Sequence, residues 1–334
     1  MNDHVVELRD VSLFVPTDHG EAQLLDRISL TLARGESLAI VGESGSGKSM
    51  TLRTISRLLP DGARTTGDVV VNGRRVDQLR GSKLRAMRRS EVATVFQDPR
   101  SAINPIQRVE DFMLEAVRDA RGDRAGARDA AMQLLLRMGI SDPERRMGQY
   151  PFELSGGLLQ RVMIASVLLA GPDVVLADEP TTALDVTTQS DVLAITDELR
   201  QERGVALLFV THDLDLAMAI CDRVMVLYAG RVLEIASANE LRTGAQHPYT
   251  RGLLASRPPL ERRLESLPVI DGVPTLATEV GAGCPFFDRC AVRLDVCGSR
   301  MPDPVGDARH WVRCHRVESE AVPSSSVLAG EGEL

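Results

Sequence analysis

One loop of eight residues has the composition that a phosphate-binding site requires. It reads Gly42-Glu43-Ser44-Gly45-Ser46-Gly47-Lys48-Ser49, and Met50 follows it. The glycines let the backbone wrap closely around phosphate oxygens, while backbone N–H groups and the start of the next helix attract negative charge. Lys48 would reach the β- and γ-phosphates, and the hydroxyl of Ser49 would hold Mg²⁺. The segment from Gly42 to Met50 therefore predicts a nucleotide site.

Two acidic residues end an apolar stretch further along the chain. Val174 to Ala177 is typical of a buried strand, which would deliver Asp178 and Glu179 to its carboxyl end. Asp178 would hold Mg²⁺, directly or through water, and Glu179 would polarise the attacking water as general base. Alone, the pattern also fits an ordinary strand end. After a phosphate loop it indicates nucleotide hydrolysis.

Two further groups are candidates for contact with the nucleotide. The segment Leu154-Ser155-Gly156-Gly157 opens a helix, and a helix N-terminus attracts anions. Phe14 is an aromatic residue that could stack on adenine or belong to the core, and the sequence leaves both interpretations open.

The elements around these residues indicate an α/β fold. Val5 to Leu13 and Ile28 to Leu32 alternate apolar and polar residues, as half-buried antiparallel strands do. Ser37 to Val41 is a denser apolar run that leads into the phosphate loop, and Ser49 to Leu58 follows as a helix. This strand, loop and helix give the loop the context it requires. From about 98 to 160 the pattern is helical, as in a subdomain inserted into the core.

The ordered set of motifs resembles the ATPase subunit of ATP-binding cassette (ABC) transporters. The phosphate loop is followed by Leu-Ser-Gly-Gly, by the apolar strand that ends in Asp178 and Glu179, and then by His212. The resemblance covers residues 5 to about 316. It implies a P-loop NTPase (RecA-like) nucleotide-binding domain with an antiparallel β subdomain, the inserted helical subdomain and a small Cys-rich C-terminal module. The implied ligands are ATP and Mg²⁺.

The resemblance also assigns residues at the strand ends. Gln97 matches the family's Q-loop glutamine, which senses Mg²⁺ and water and links the site to membrane subunits. His212 matches the switch histidine, which contacts the γ-phosphate and the attacking water. We therefore expect Gln97, Glu179 and His212 to be catalytic, and Ser49, Gln97 and Asp178 to hold Mg²⁺.

A second copy of the site is implied by the Leu-Ser-Gly-Gly segment. In the family it meets the γ-phosphate bound by another subunit, so the resemblance implies a dimer with two ATP molecules between its ATPase domains. Leu158 stands where many relatives have Gln, although Gln160 and Arg161 still follow. Asp185 matches the D-loop, which joins the two sites. The residues expected to act across the dimer are Ser155, Gly156, Gly157 and Gln160.

Composition limits the remaining possibilities. The 334 residues carry a net charge of −8, which argues against a nucleic-acid partner. The N-terminus lacks the pattern of a secretory signal, and the longest apolar run, Val162 to Ala170, is shorter than the about 20 residues that cross a bilayer. We therefore expect a peripheral protein on the cytoplasmic face of the cell membrane, with the channel supplied by other subunits.

Four of the five cysteines lie close together in sequence near the C-terminus. Five, six and sixteen residues separate Cys284, Cys290, Cys297 and Cys314. Such a group in a cytoplasmic protein suggests metal, and the absence of a short Cys-x2–4-Cys pair favours a [4Fe-4S] cluster over zinc. Unliganded or disulfide-forming cysteines remain the third alternative. The segment resembles the C-terminal module of oligopeptide and dipeptide importer ATPases, some of which carry such a cluster.

Three domains follow from these observations. They are an ABC ATPase domain (1–240), a C-terminal extension with the four cysteines (241–320), and a disordered tail (321–334). Within the extension, Pro248 to Pro274 is rich in proline and is expected to form an extended arm. The segments Phe96-Gln97-Asp98-Pro99, Tyr150-Pro151-Phe152-Glu153 and His247-Pro248-Tyr249-Thr250 resemble the peptide/nickel importer branch.

The resemblance to that branch predicts the partners and the cargo. Expected partners are a second ABC ATPase subunit (a paralogue or a second copy), two transmembrane permease subunits and an extracytoplasmic substrate-binding protein. Di- or oligopeptides are the expected substrates, and nickel chelates, opines and glutathione remain alternatives. Two rivals are a non-transport ABC ATPase, against which the single cassette and acidic charge argue, and an iron–sulfur sensor that uses the ATPase as a regulated partner.

Overall fold

Two β-sheets and the helices packed against them make up the part of the chain that the structure describes. It is a computed structural model that describes residues 3–18, 20–115, 117, 124–181, 186–256, 269–307 and 309–317. The strands are β1 (His4–Thr17), β2 (Gly20–Ala33), β3 (Ser37–Val41), β4 (Arg64–Val71), β5 (Arg74–Arg75), β6 (Val92–Val95), β7 (Val174–Asp178), β8 (Ala206–Thr211), β9 (Arg223–Tyr228), β10 (Arg231–Ser237), β11 (Val305–Gly306) and β12 (Trp311–Val312). The helices are α1 (Lys48–Ser56), α2 (Gly81–Ser90), α3 (Pro99–Ala102), α4 (Val109–Glu115), α5 (Arg124–Arg137), α6 (Pro143–Met147), α7 (Gly156–Ala170), α8 (Val186–Arg203), α9 (Leu214–Ile220), α10 (Ala238–Gly244) and α11 (Pro248–Ala255). Short 3₁₀ helices lie at Val76–Gln78, Pro151–Glu153, Ala277–Glu279, Phe287–Arg289 and Asp295–Gly298.

The smaller sheet is antiparallel, with the strand order β2-β1-β4-β5. β1 and β2 form a long hairpin in which His4 lies opposite Ala33 and Thr17 opposite Gly20. The apolar residues that alternate along both strands form one face, which packs into a buried cluster with residues of the larger sheet such as Ile40. The predicted antiparallel strands are confirmed and are longer than the alternating pattern alone indicated.

The larger sheet positions the predicted site. Its order is β11-β12-β10-β9-β3-β8-β7-β6. The five strands β9, β3, β8, β7 and β6 run parallel to one another, whereas β10 is antiparallel to β9. Carboxyl ends of parallel strands meet at one edge, where ligands of open α/β sheets bind. The phosphate loop follows β3, Gln97 follows β6, Asp178 ends β7, and His212 follows β8. The topology therefore brings motifs that are far apart in sequence to one edge.

The predicted helical insertion consists of several short helices. α4 and α5 pack against α7, and their apolar residues join the buried cluster on one side of the larger sheet. Pro99 and Pro143 each lie at the first helical position, after Asp98 and Asp142 whose side chains cap α3 and α6. Proline is tolerated there because the first N–H groups of a helix have no partner within it.

The C-terminal extension is more closely joined to the ATPase domain than the predicted boundary at residue 240 implies. β12 pairs with β10, so β11 and β12 continue the larger sheet. Tyr249 and Phe286 belong to the same buried cluster as the sheet residues. The extended arm predicted from Pro248 is wrong at its start, because Pro248 is the first residue of helix α11. The residues 257–268 and the predicted tail lie outside the described part.

Candidate functional site

The phosphate loop joins the carboxyl end of β3 to helix α1. Gly47 has a φ of 104°, and a Cβ there would lie 2.7 Å from a methyl carbon of Leu25, so both conformation and space favour glycine. Lys48 begins α1, and its ammonium donates hydrogen bonds to the carbonyl oxygens of Gly42 (2.9 Å) and Glu43 (3.0 Å). Burial lowers the pKa of Lys48. The ammonium is thus held over the loop, where an incoming phosphate can exchange for the carbonyl oxygens.

The end of β7 meets the start of α1. The hydroxyl of Ser49 donates a hydrogen bond of 2.7 Å to the carboxylate of Asp178. Burial raises the pKa of Asp178, and the hydrogen bond from Ser49 opposes that rise. A hydroxyl and a carboxylate oxygen side by side are ligands of the kind that Mg²⁺ prefers.

Glu179 contacts residues that follow the two neighbouring strands, β6 and β8. Its φ of 43° is in the left-handed region, and its N–H donates to the carbonyl of Val210 at 3.0 Å. Such backbone costs about 1–3 kcal/mol for a residue other than glycine and is found at functional sites. The amide of Gln97 donates to one carboxylate oxygen at 3.1 Å, and Nδ1 of His212 lies 3.5 Å from the other. The structure therefore brings together all three residues expected to be catalytic.

Most of these groups line one open cleft of about 580 Å³ at the edge of the sheet, and Asp178 reaches it through its hydrogen bond with Ser49. The lining residues are Leu24, Ser44, Gly45, Gly47, Lys48, Ser49, Met50, Gln97, Glu179 and His212. All of them except Leu24 belong to motifs that are recognisable in the sequence. An apolar residue in an alternating strand gives no sequence indication that it binds a ligand. Leu24 reaches the cleft because β2 passes over the phosphate loop.

The Leu-Ser-Gly-Gly segment lies elsewhere. Ser155 is exposed and caps α7 by accepting a hydrogen bond from the N–H of Leu158 at 3.3 Å, and residues 155–157 are not part of the cleft lining. Gln160 is fully buried, and within the described part of the chain neither polar atom of its side chain has a hydrogen-bond partner. Position 160 lies on the inner face of α7 beside Leu159, and the role of Gln160 across a dimer stays a prediction.

The candidate for adenine stacking is not part of the described cleft lining. Phe14 lies in β1 and is partly buried, and the guanidinium carbon of Arg64 stands 4.2 Å from the centre of its ring. Asp185 lies outside the described residues.

Two families of known proteins match separate parts of the chain. A family model described as "ABC transporter" matches residues 25–182, and one described as "Oligopeptide/dipeptide transporter, C-terminal region" matches residues 233–297. The chain is 36% identical to the dipeptide transport ATP-binding protein DppD of Bacillus subtilis, and the match covers 99% of each. The chain belongs to the ABC transporter ATP-binding proteins of the oligopeptide/dipeptide branch. It is also 37% identical to the oligopeptide transport ATP-binding protein OppD of Salmonella typhimurium, over 89% of each chain.

Solved structures agree with this family. This ABC transporter ATP-binding protein matches a dimeric post-hydrolysis state of the ATP-binding cassette MJ0796 bound to ADP and Pi with a TM-score of 0.63 and 29% identity, over 70% of this chain and 98% of that one. It matches cbiO1 from Clostridium perfringens, part of the cbiONQ complex, with a TM-score of 0.61 and 27% identity, over 73% and 92%. No described helix of this ABC protein is long and apolar enough to cross a membrane.

The four C-terminal cysteines of this ABC protein line one small cavity together with His247 and His315. All five cysteines of the chain are free thiols, so the structure contains none of the disulfides that were left open as an alternative. Burial raises the pKa of Cys284 to about 12, and the other three cysteines contribute to that rise. Among the described residues, no group of three or more His, Cys, Asp or Glu side chains is arranged to hold a metal ion.

Proposed function

We propose that this chain is the ATP-hydrolysing subunit of an ABC importer for di- or oligopeptides. The observation that carries the proposal is that the phosphate loop, Gln97, Glu179 and His212 share one cleft, with Asp178 hydrogen-bonded to Ser49 of that loop. The match of residues 233–297 to the C-terminal region of oligopeptide/dipeptide transporters supports the peptide substrate over nickel chelates, opines or glutathione. It also supports transport over a non-transport ABC ATPase.

The cleft offers each part of an ATP molecule a suitable partner. The backbone from Gly42 to Gly47 and the ammonium of Lys48 would hold the phosphates. Ser49 and Asp178, already joined by a hydrogen bond, would hold Mg²⁺ with the amide oxygen of Gln97. Bound there, Mg²⁺ would neutralise charge on the β- and γ-phosphates.

Glu179 is the proposed general base. Gln97 donates to one of its carboxylate oxygens, and His212 stands at the other, so the carboxylate is oriented before a water molecule arrives. The carboxylate would accept a proton from the attacking water while His212 contacts the γ-phosphate.

Replacement of Glu179 by Gln tests this role. The amide keeps the size of the side chain but cannot accept the proton, so we expect ATP turnover to fall by about 100-fold or more while the Kd for a fluorescent ATP analogue with Mg²⁺ stays within about threefold. Glu198→Gln, on the exposed side of α8, is the matched control and should hydrolyse ATP normally. Hydrolysis by Glu179→Gln at close to the normal rate would remove Glu179 from the mechanism.

A second ATPase subunit would complete the site. Ser155, Gly156 and Gly157 are not part of the described cleft lining. They form the N-terminus of α7, which Ser155 caps, and a helix N-terminus suits a phosphate. The related cassette MJ0796 is dimeric in its structure with ADP and Pi. The partner would be a paralogue or a second copy. Two permease subunits and an extracytoplasmic binding protein would complete an importer that holds this chain at the cytoplasmic face of the membrane.

The four cysteines are the proposed ligands of a [4Fe-4S] cluster. All four line one cavity, which supports a common ligand. A single zinc ion needs its four thiolates about 2.3 Å away at once, and its sites usually contain a short Cys-x2–4-Cys pair, which is absent from this segment. A cluster of four irons takes one thiolate on each iron and tolerates a wider spacing.

Iron and sulfide analysis of anaerobically purified protein tests the cluster. We expect about four of each per chain, a brown colour, and loss of both in Cys290→Ser. Cys221→Ser is the control, because Cys221 is buried elsewhere and is not part of the lining of this cavity. Stoichiometric zinc without iron would favour the zinc alternative, and an absence of both would leave the thiols unliganded.

A further inference from the structure

One arginine connects the cysteine-bearing segment to the phosphate loop. Arg289 lies in the short 3₁₀ helix between Cys284 and Cys290, and its side chain is only 5% exposed. Its two terminal nitrogens donate to the two carboxylate oxygens of Glu43 at 2.7 and 3.2 Å. This paired contact is the geometry in which an arginine binds a carboxylate most strongly. It joins residues that are 246 positions apart.

The rest of the Arg289 side chain is fixed by the C-terminal extension. Nε donates to the carbonyl of Asp271 at 2.9 Å, and one terminal nitrogen donates to the carbonyl of Ile270 at 3.0 Å. The other donates to the hydroxyl of Tyr228 at 3.2 Å. The guanidinium therefore has little freedom to leave Glu43.

Glu43 is in turn fixed within the phosphate loop. Its N–H donates to the hydroxyl of Tyr249 at 3.0 Å, and its carbonyl oxygen accepts from the ammonium of Lys48 at 3.0 Å. Burial lowers the pKa of Lys48, and the negative charges of Glu179, Asp178 and Glu43 oppose that effect. A carboxylate at this position would attract Lys48 towards the loop and repel an incoming triphosphate, unless another cation neutralises it.

We propose that Arg289 is a positioning residue for ATP binding, which acts by neutralising and holding Glu43 at the edge of the phosphate loop. The inference rests on the proposed binding of ATP in this cleft. It gives the C-terminal extension a part in the nucleotide site of its own chain. Without Arg289, the charge of Glu43 would be left uncompensated beside the phosphates.

The Kd of a fluorescent ATP analogue with Mg²⁺, measured on the purified full-length chain, tests this proposal. We expect Arg289→Met to raise the Kd by about tenfold, which corresponds to about 1.4 kcal/mol. The double variant Glu43→Gln with Arg289→Met should return to within about threefold of the unchanged protein, because it removes the charge that Arg289 compensates. Arg293→Met is the matched control, since Arg293 lies in the same segment, exposed, over the ring of Phe287.

Three results would overturn the proposal. They are a Kd within twofold in Arg289→Met, a double variant that binds no better than Arg289→Met, and equal weakening by the Arg293 control. A purely structural role would lower the stability of Arg289→Met without rescue by Glu43→Gln.

If Arg289→Met does not fold, the Kd of the single variant Glu43→Gln tests the proposal. The proposal then requires binding at least as tight as in the unchanged protein and a weaker dependence of the Kd on salt, and weaker binding would refute it. Binding is measured without hydrolysis, so a failure of the Glu179 test leaves this experiment interpretable.

Discussion

Removal of one buried hydroxyl group should measure how strongly the C-terminal extension holds the phosphate loop. Tyr249 lies in helix α11 and is fully buried, and its hydroxyl accepts a hydrogen bond from the N–H of Glu43 at 3.0 Å. The ring also packs against Tyr228, with 4.7 Å between ring centres, and against Phe286 at 5.3 Å. Tyr249→Phe would keep both ring contacts and remove only the acceptor oxygen.

The size of the effect follows from the N–H group that loses its partner. A buried donor left unsatisfied costs about 1–3 kcal/mol, whereas a hydrogen bond that water can replace is worth about 0.5–1.5 kcal/mol. Glu43 is only partly buried, so water can reach its N–H group in part. We therefore expect Tyr249→Phe to lower the free energy of unfolding by about 1–2 kcal/mol and Tm by about 2–5 °C.

Urea titration followed by circular dichroism, together with a thermal scan, would measure this change. Tyr150→Phe removes the same hydroxyl from a less buried ring that stacks on Phe152, and should change stability by less than about 0.5 kcal/mol. Equal stability of Tyr249→Phe and the unchanged protein would refute the hydrogen bond. A loss well above about 3 kcal/mol would show that the ring contacts had also changed.

Two further pairs of variants test the fold around the site. Gly42→Ala would place a Cβ onto the carbonyl oxygen of Leu227, so we expect loss of ATP binding and a loss of about 2–4 kcal/mol of stability. In Gly171→Ala the new Cβ would contact no described atom, so this variant should cost about 1–2 kcal/mol for its left-handed backbone alone. Chemical denaturation compares the two variants. Arg200 is 3% exposed and joins α8 to the start of β3 by hydrogen bonds, so Arg200→Met should lower the free energy of unfolding by about 2–4 kcal/mol. Arg137 forms a surface ion pair, so Arg137→Met should lower it by less than about 1 kcal/mol. Similar losses of stability in both variants would contradict an effect of burial.

The sequence was most informative where a site residue belongs to a contiguous motif. The strand, loop and helix around Lys48 are local in sequence, and each residue type has a chemical reason to be there. Gln97, Asp178 and His212 could be placed because each lies at or just after the carboxyl end of a strand, and parallel strands of one sheet bring such ends to one edge. Composition and order were therefore sufficient for most of the cleft.

Contacts between distant segments could not be predicted in the same way. Leu24 reaches the cleft through the path of β2, and β12 joins the main sheet by pairing with β10. The burial of Gln160 on the inner face of α7 was equally absent from its motif. In each case the outcome depends on which face of an element packs inward, and a single motif does not contain that information.

Glu43 and Arg289 lie on opposite sides of the predicted domain boundary at residue 240, and their ion pair joins the C-terminal extension to the phosphate loop. The second residue of the phosphate loop is acidic, which is unfavourable beside phosphate unless a cation lies against it. That cation comes from the turn between Cys284 and Cys290, and Tyr249 of the same extension binds the N–H of the same residue. A chain that ended near residue 240 would keep every motif of the ATP site and leave the charge of Glu43 unpaired. The extension is therefore part of the electrostatic balance of the phosphate loop.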